Sequence, residues 1–275
     1  MSYSNRRETI CSVTPTLCSL LGVSPPECDE EASAEVVHEA GRIFSGESLQ
    51  KCLVFAPDAL GCHLAGRFPH IYDPVRFLAP LKITLRSMVP PKTPVCFASM
   101  FTGLTPCQHG IQSYEKPVLK CGTLFDALAG AGRRVAIVAV QDSSIDLIFR
   151  GREINYYSEK YDSQVNDRVF SLLKGDRHDF ILAYHQEYDD VMHKSEPFSK
   201  EAMEAVKHHI DGFSSLSEAV DRHWGSFNRA VVFAPDHGAH LDLKTGRGTH
   251  GEDIPEDMEV CHYWGFRSGR LLPGC

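Results

Sequence analysis

The chain contains no apolar run long enough to cross a bilayer as a helix. It also has no basic surplus. Its 28 Lys and Arg face 36 Asp and Glu, a formal net charge of -8, which argues against a nucleic-acid polymer as partner. An anionic substrate would therefore need bound metal to supply positive charge beside it. No C-x-x-C pair occurs, which excludes a zinc ribbon. The opening M-S-Y-S-N-R-R-E-T-I-C lacks the apolar core of a secretory signal, and there is no N-x-S/T acceptor. Repeats, low-complexity segments and a clear linker are missing, so residues 1–275 read as one domain. Against these absences stand ten cysteines. In a short secreted chain they would read as a disulfide framework. Here the chain is long and 43% hydrophobic, so they read as reduced, mostly buried thiols of a cytoplasmic protein.

Apolar runs alternate with helical patterns. Lys51 to Ala56, Val135 to Val140, Phe180 to Tyr184 and Ala230 to Ala234 are near-continuous apolar runs, as expected of strands buried on both faces. Met258 to Phe266 reads as a last strand. Thr14-Pro15 suggests a helix start, with Gly22 as its stop. Residues 30–43 suggest a helix whose solvated start is Asp29-Glu30-Glu31. Thr123 is placed to cap a helix ended by Gly132. Ser199 is placed to cap a long one with Met203, Val206, Ile210, Phe213, Leu216 and Val220 on one stripe. This order predicts an α/β fold: three α/β/α layers around a mostly parallel sheet. Ligands of such sheets sit beyond the carboxyl ends of the strands.

Aspartates stand at those ends. Pro57-Asp58 follows the first run. Asp189 and His193 follow the Phe180 run, and Pro235-Asp236-His237-Gly238 follows the Ala230 run. His250-Gly251 adds one more imidazole. Carboxylates and imidazoles gathered on loops at strand ends are what a two-metal hydrolytic centre requires. Mixed Asp/His ligation suits Zn2+, with Mn2+ or iron as alternatives.

The segment Lys92 to Ile111, K-T-P-V-C-F-A-S-M-F-T-G-L-T-P-C-Q-H-G-I, completes a pattern. With Asp58, the D-x-x-x-H of Asp189 and His193, the D-H-G of residues 236–238 and the H-G of residues 250–251, it resembles the alkaline phosphatase superfamily. The closest resemblance is to its nucleotide pyrophosphatase/phosphodiesterase branch, over about residues 50–266. The resemblance implies a metallohydrolase of phosphodiesters, other phosphoesters or phosphonates, with no large inserted cap. It implies one divalent ion held by Asp58, Asp236 and His237 with the Thr93 hydroxyl, and a second held by Asp189, His193 and His250. Thr93 would be the nucleophile, because a threonine hydroxyl attacks phosphorus at neutral pH only when a metal lowers its pKa. The implied partner is a small-molecule phosphoester, with neither nucleic acid nor membrane. Lys92 and Tyr114 are the candidate substrate contacts.

The segment also departs from the branch. A cysteine, Cys96, stands where asparagine is usual, and its thiol is the alternative nucleophile. After H-G-I the branch carries a phosphate-binding asparagine; here the residues are Gln112, Ser113 and Tyr114. Asp190 is the alternative to Asp189. His109, His240 and His262 read as structural, and the adjacent pair His208-His209 on a helix as a poor joint ligand. The segment Val13 to Val23 resembles a helix found late in relatives' chains. A sulfatase would need C/S-x-P-x-R, which residues 96–100 lack, and a phosphomutase would need an extra domain. These two, and an inactive metal-binding relative, are the alternative functions.

Overall fold

Residues 8–269 are described by a computed structural model. Residues 1–7, on which the leader reading rests, and residues 270–275, with Cys275, lie outside the described residues. The strands are β1 (Lys51–Pro57), β2 (Leu81–Arg86), β3 (Val135–Val140), β4 (Asn155–Glu159), β5 (Phe180–His185), β6 (Arg229–Phe233), β7 (His240–Asp242), β8 (Arg247–Thr249) and β9 (Glu259–Arg267). The helices are α1 (Val13–Leu21), α2 (Ala34–Ile43), α3 (Cys62–Arg67), α4 (Asp73–Leu78), α5 (Thr93–Thr102), α6 (Pro106–His109), α7 (Leu124–Gly130), α8 (Ser144–Ile148), α9 (Asp162–Gly175), α10 (Glu187–Met192), α11 (Lys200–His223) and α12 (Pro255–Met258).

A seven-stranded sheet has the order β2-β9-β6-β1-β5-β3-β4. β6, β1, β5, β3 and β4 pair in parallel, while β9 runs antiparallel between β6 and β2. Every residue of β1, β3, β5 and β6 is buried, because helices cover both faces. One face packs under α1, α2, α5, α7 and α8. The other packs under α3, α4, α9, α10 and α11. The outer strands β2 and β4 and the largely polar α9 carry no continuous apolar run, so the sequence pattern does not announce them. On β2 only Ile83 and Leu85 are buried, which is how an edge strand shows one face to water. No helix among the described residues is long and apolar enough to cross a membrane.

Several local expectations need correction. α1 starts at Val13 behind a short 3-10 turn, and Thr9 rather than Thr14 accepts the first amide, from Cys11 at 3.2 Å. The Thr14 hydroxyl instead donates to the Met100 carbonyl at 2.8 Å, pinning α1 to α5. α2 begins only at Ala34, because the Glu30 carboxylate is taken by the Thr9 amide and hydroxyl. Cys62 and Cys261 form a disulfide from α3 to β9, so the thiols are not all reduced. Cys11, Cys18, Cys52 and Cys96 are free and buried, while Cys107 is free and exposed. Thr123 and Ser199 do cap α7 and α11, accepting from Asp126 at 3.3 Å and Ala202 at 3.1 Å.

Candidate metal centre

The carboxyl ends of three adjacent strands build the site. β1 lies between β5 and β6. Its chain leaves the sheet at Asp58, whose amide still bonds the His185 carbonyl at 2.9 Å. β6 leaves through Pro235 into Asp236 and His237. The two exits touch: a Cβ on Gly238 would lie 2.0 Å from the Glu256 carbonyl oxygen and 2.9 Å from the Gly61 Cα. Only glycine fits there, which accounts for the glycine of D-H-G. Past β5, α10 carries Asp189 in its first turn and presents His193 as its C-cap, one turn later on the same side.

The first turn of α10 is held from outside. The Asp162 carboxylate of α9 accepts the Gln186 and Glu187 amides at 3.2 and 2.9 Å. His209 Nε2 of α11 accepts the Tyr188 amide at 3.1 Å. Burial pushes the Asp162 carboxyl up to about 7. His250 arrives from beyond β8. Lys92 Nζ donates to its carbonyl at 2.7 Å, and a Cβ on Gly251, whose φ is +124, would meet that ammonium at 2.7 Å.

Two groups of ligand atoms result, Asp58, Asp236 and His237 in one and Asp189, His193 and His250 in the other. His237 Nε2 lies 3.4 Å from an oxygen of Asp58 and 3.4 Å from one of Asp236. His193 Nε2 and His250 Nε2 each lie 3.3 Å from Asp189 Oδ1. Ligand atoms set tetrahedrally at 2.0–2.1 Å from an ion stand about 3.3–3.4 Å apart, so the spacing fits a four-coordinate divalent ion in each group. The His237 and His250 rings stack at 4.1 Å and join the groups.

The protonation of the imidazoles points the same way. Each Nδ1 faces a backbone carbonyl: His193 faces Gly248 at 3.0 Å, His237 faces Gly238 at 2.9 Å, and His250 faces Pro91 at 2.8 Å. A carbonyl only accepts, so Nδ1 carries the proton and, in the neutral ring, Nε2 offers a lone pair. That lone pair points at carboxylate oxygens, and only a cation or a proton between them relieves the repulsion. Asp189 Oδ1 and Asp236 Oδ2 are buried without a hydrogen-bond partner among the described residues, as oxygens that face a metal ion are. Burial, then the neighbouring carboxylates Asp236 and Asp189, pushes the Asp58 carboxyl well above the usual carboxylate range. Burial raises Asp236 as well, and lowers His237. At Asp189 burial acts upward too, but the His193 and His250 imidazoles outweigh it and hold the carboxyl below the usual range. The Asp189 carboxylate in turn raises His193.

Thr93, the first residue of α5, is 3% exposed. Its Oγ1 lies 3.2 and 3.4 Å from the Asp58 oxygens and 3.4 Å from His237 Nε2. Cys96 lies one turn further on and is fully buried. Its thiol meets Ser87 and the Met88 carbonyl, and burial pushes its pKa far up. It has neither the access nor the thiolate that attack requires. Asp190 turns outward to Gln186 at 3.3 Å. His109 accepts the Ile111 amide and bonds Ser99. His240 bonds Asp257, and His262 the Pro235 carbonyl. His208 pairs with Glu187, away from the buried His209.

A polar cavity of about 110 Å³ opens on Thr93, Asp58 and Asp189. Tyr114 lines it, as do residues that no motif announces: Lys116, Tyr184 and the loop 141–144 after β3. Tyr184 is 2% exposed, and its hydroxyl donates to Asp58 Oδ2 at 2.5 Å. A neighbouring cavity of about 470 Å³ shares Gln186 and Asp190 with the first and is lined by Val140, Tyr161 and Val191, with Lys160 and Lys194.

No family model and no curated protein matches the chain. Solved structures do. Murine ectonucleotide pyrophosphatase/phosphodiesterase 5, as an inactive threonine-to-alanine variant in complex with AMP, is 18% identical at a TM-score of 0.56, over 71% of this chain and 59% of that one. The human form of that protein is 16% identical at a TM-score of 0.54, over 71% and 59%. Phosphonoacetate hydrolase from Sinorhizobium meliloti 1021, with phosphonoformate bound, is 18% identical at a TM-score of 0.52, over 72% and 59%. The chain shares the fold of these proteins. It matches 59% of the length of each of these three chains.

Proposed function

We propose that the chain is a metal-dependent hydrolase of small phosphoesters, phosphodiesters or phosphonates, with Thr93 as its nucleophile. The observation that carries this reading is the convergence of three bare imidazole nitrogens and three carboxylates beside one buried hydroxyl. Asp58, Asp236, His237 and the Thr93 hydroxyl would hold one divalent ion, and Asp189, His193 and His250 the other. Zinc suits the donor set and its spacing, with manganese or iron as alternatives. Bound there, the two ions would lower the pKa of the Thr93 hydroxyl and offset charge on the leaving oxygen.

The protein's own groups do the positioning. Asp58 accepts from the Thr93 hydroxyl and orients Oγ1. Tyr184 fixes the Asp58 carboxylate from behind. Attack forms the Oγ1–phosphorus bond and breaks the bond from phosphorus to the ester oxygen, which departs as the alcohol with the proton that Oγ1 gives up. Water then cleaves the phosphoryl-threonine and restores Thr93. The 470 Å³ cavity has room for an organic substituent on the phosphorus. Fold neighbours that hold AMP or phosphonoformate support the substrate class.

The test is metal analysis after reconstitution with zinc, together with kinetics on nitrophenyl esters. Two ions per chain, loss of turnover on chelation, and higher kcat/KM for the aryl phosphodiester than for the monoester are expected. A diester carries one negative charge, which two ions match unaided. Less than one ion per chain overturns the two-metal reading, and a tenfold preference for the monoester overturns the diester reading.

A further inference from the structure

The short helix α12 reaches the metal centre without contributing a ligand. Its Asp257 is 0% exposed and belongs to neither ligand group. A carboxylate buried this deeply is costly unless hydrogen bonds satisfy it. Here three do. Oδ2 accepts the Gly251 amide at 2.8 Å and the Glu252 amide at 2.9 Å, and Oδ1 lies 2.7 Å from His240 Nδ1. The Asp257 backbone carbonyl accepts one more, from the Gly238 amide at 2.8 Å.

These contacts fall on the two turns that follow ligand histidines. Gly251 and Glu252 come directly after His250, and Gly238 and His240 come just after His237. One residue thus ties the H-G turn of one ligand group to the D-H-G turn of the other. The imidazoles carried by those turns are the pair that stacks, 4.1 Å between centres and 25° between planes.

The helix that carries Asp257 is itself anchored. The Ser87 amide, just past β2, donates to the Met258 carbonyl at 2.7 Å, and the Met258 amide bonds the Ile254 carbonyl at 2.9 Å. The Glu256 carbonyl fills the space beside Gly238 and Gly61. A working constellation of ligands has to be held to within about 0.5 Å. Two histidines on separate turns meet that demand only if something outside the turns fixes one against the other, and the Asp257 carboxylate bonds both sides.

We propose that Asp257 is a positioning residue of the two-metal centre: its carboxylate sets His237 and His250 relative to each other, and with them the spacing of the two ions. The proposal rests on the metallohydrolase reading and adds to it a residue outside both ligand groups.

It is tested by zinc titration against a chelating dye and by the absorption spectrum of the cobalt-loaded protein, whose bands report ligand geometry. Asp257→Leu keeps the shape of the side chain and removes its acceptors. It should weaken zinc binding by about tenfold or more and shift the cobalt bands. Asp257→Asn should recover most of that loss, because its oxygen can serve the two amides while its NH2 donates to His240 in the other tautomer. Arg229→Met is the control. Arg229 is 3% exposed, starts β6 at the opposite end of the sheet and bonds Asp221 at 2.9 Å. Its loss should lower Tm and leave zinc affinity and the cobalt spectrum unchanged, as at any residue that only stabilises the fold. Folding is checked by circular dichroism, and Asp257→Ala replaces Asp257→Leu if the latter does not fold. Unchanged zinc affinity in the folded variant, no recovery in Asp257→Asn, or an equal loss in Arg229→Met overturns the proposal. Nitrophenyl ester kinetics on the same samples separate it from the reading beneath it. Weakened zinc binding in Asp257→Leu without turnover in the wild type removes the hydrolase reading and leaves the positioning role. Wild-type turnover with unchanged zinc binding in Asp257→Leu removes the positioning role alone.

Discussion

The two ligand groups are alike in donors and unlike in setting. Asp58, Asp236 and His237 are 2%, 0% and 0% exposed and stand where the central strands β1 and β6 leave the sheet. Asp189 and His193 are 17% and 39% exposed and ride on the short helix α10. In the first group two buried carboxylates face a buried neutral imidazole, and both carboxyls are driven upward. In the second the imidazoles hold the Asp189 carboxyl down, and that carboxylate raises His193. Buried charge without a counter-charge is costly. An ion bound by the first group would therefore serve stability as well as chemistry, whereas the second group, in which only His250 is as buried, would lean on its ion less. Thr93 touches only the first.

The largest expected effect follows from that last contact. Thr93→Ala should lower kcat by a factor of roughly a thousand or more while bound metal, measured by elemental analysis, stays near the wild-type value, since the acidic and imidazole ligands remain. Thr93→Ser should retain part of the activity. Cys96→Ala should cost far less, and the reverse order would transfer the nucleophile to the thiol.

The next effect compares the groups directly. An ion present at a thousand times its Kd stabilises the fold by about 4 kcal/mol, roughly 10 °C in Tm for a chain of this size. Calorimetric scans before and after chelation should show a fall of that order. Asp236→Ala should abolish most of the metal-dependent part of it, and His193→Ala only a minor part. Equal losses would erase the distinction between the buried and the open group.

Tyr184→Phe sharpens the comparison within the buried group. Losing a hydrogen bond to a ligating carboxylate typically costs 10- to 100-fold in metal affinity, and competition with a chelator would measure it. A twofold change or less would reduce the hydroxyl to packing.

The smallest effect lies under the open group. Asp162 titrates at about 7 in the folded chain and near the usual carboxylate value of about 4 when unfolded. Between these values the folded state binds more protons, so this residue makes stability fall as pH rises. Asp162→Asn should flatten urea-derived stability between pH 4 and 7 and loosen metal at Asp189 and His193. An unchanged slope would mean that the carboxyl ionises as readily folded as unfolded.

Legibility in the sequence followed burial. β1, β3, β5 and β6 were readable because strands buried on both faces must be apolar throughout. β2 and β4 were not, since edge strands face water and carry residues such as Lys82 and Ser158. The candidate ligands were readable because short motifs such as D-H-G and D-x-x-x-H keep their spacing: each motif sits on one turn or one helix face. Lys116 and Tyr184 belong to no such motif. They reach the cavity through the loop after α6 and the pleat of β5, and the only sequence signal of Tyr184 was its place at the end of an apolar run.

The sequence by itself therefore determined the layer architecture, the acidic and imidazole character of the strand ends and the chemistry they imply, because these depend on local spacing and burial. Only the tertiary structure decided which nitrogen of each histidine is bare, that Cys62 meets Cys261 across 199 residues, and that Lys116 and Thr93 line one cavity. Apart from His237, whose Nδ1 faces the carbonyl of the next residue, each of these is a meeting of groups distant along the chain, and distance in sequence places no limit on distance in the folded protein.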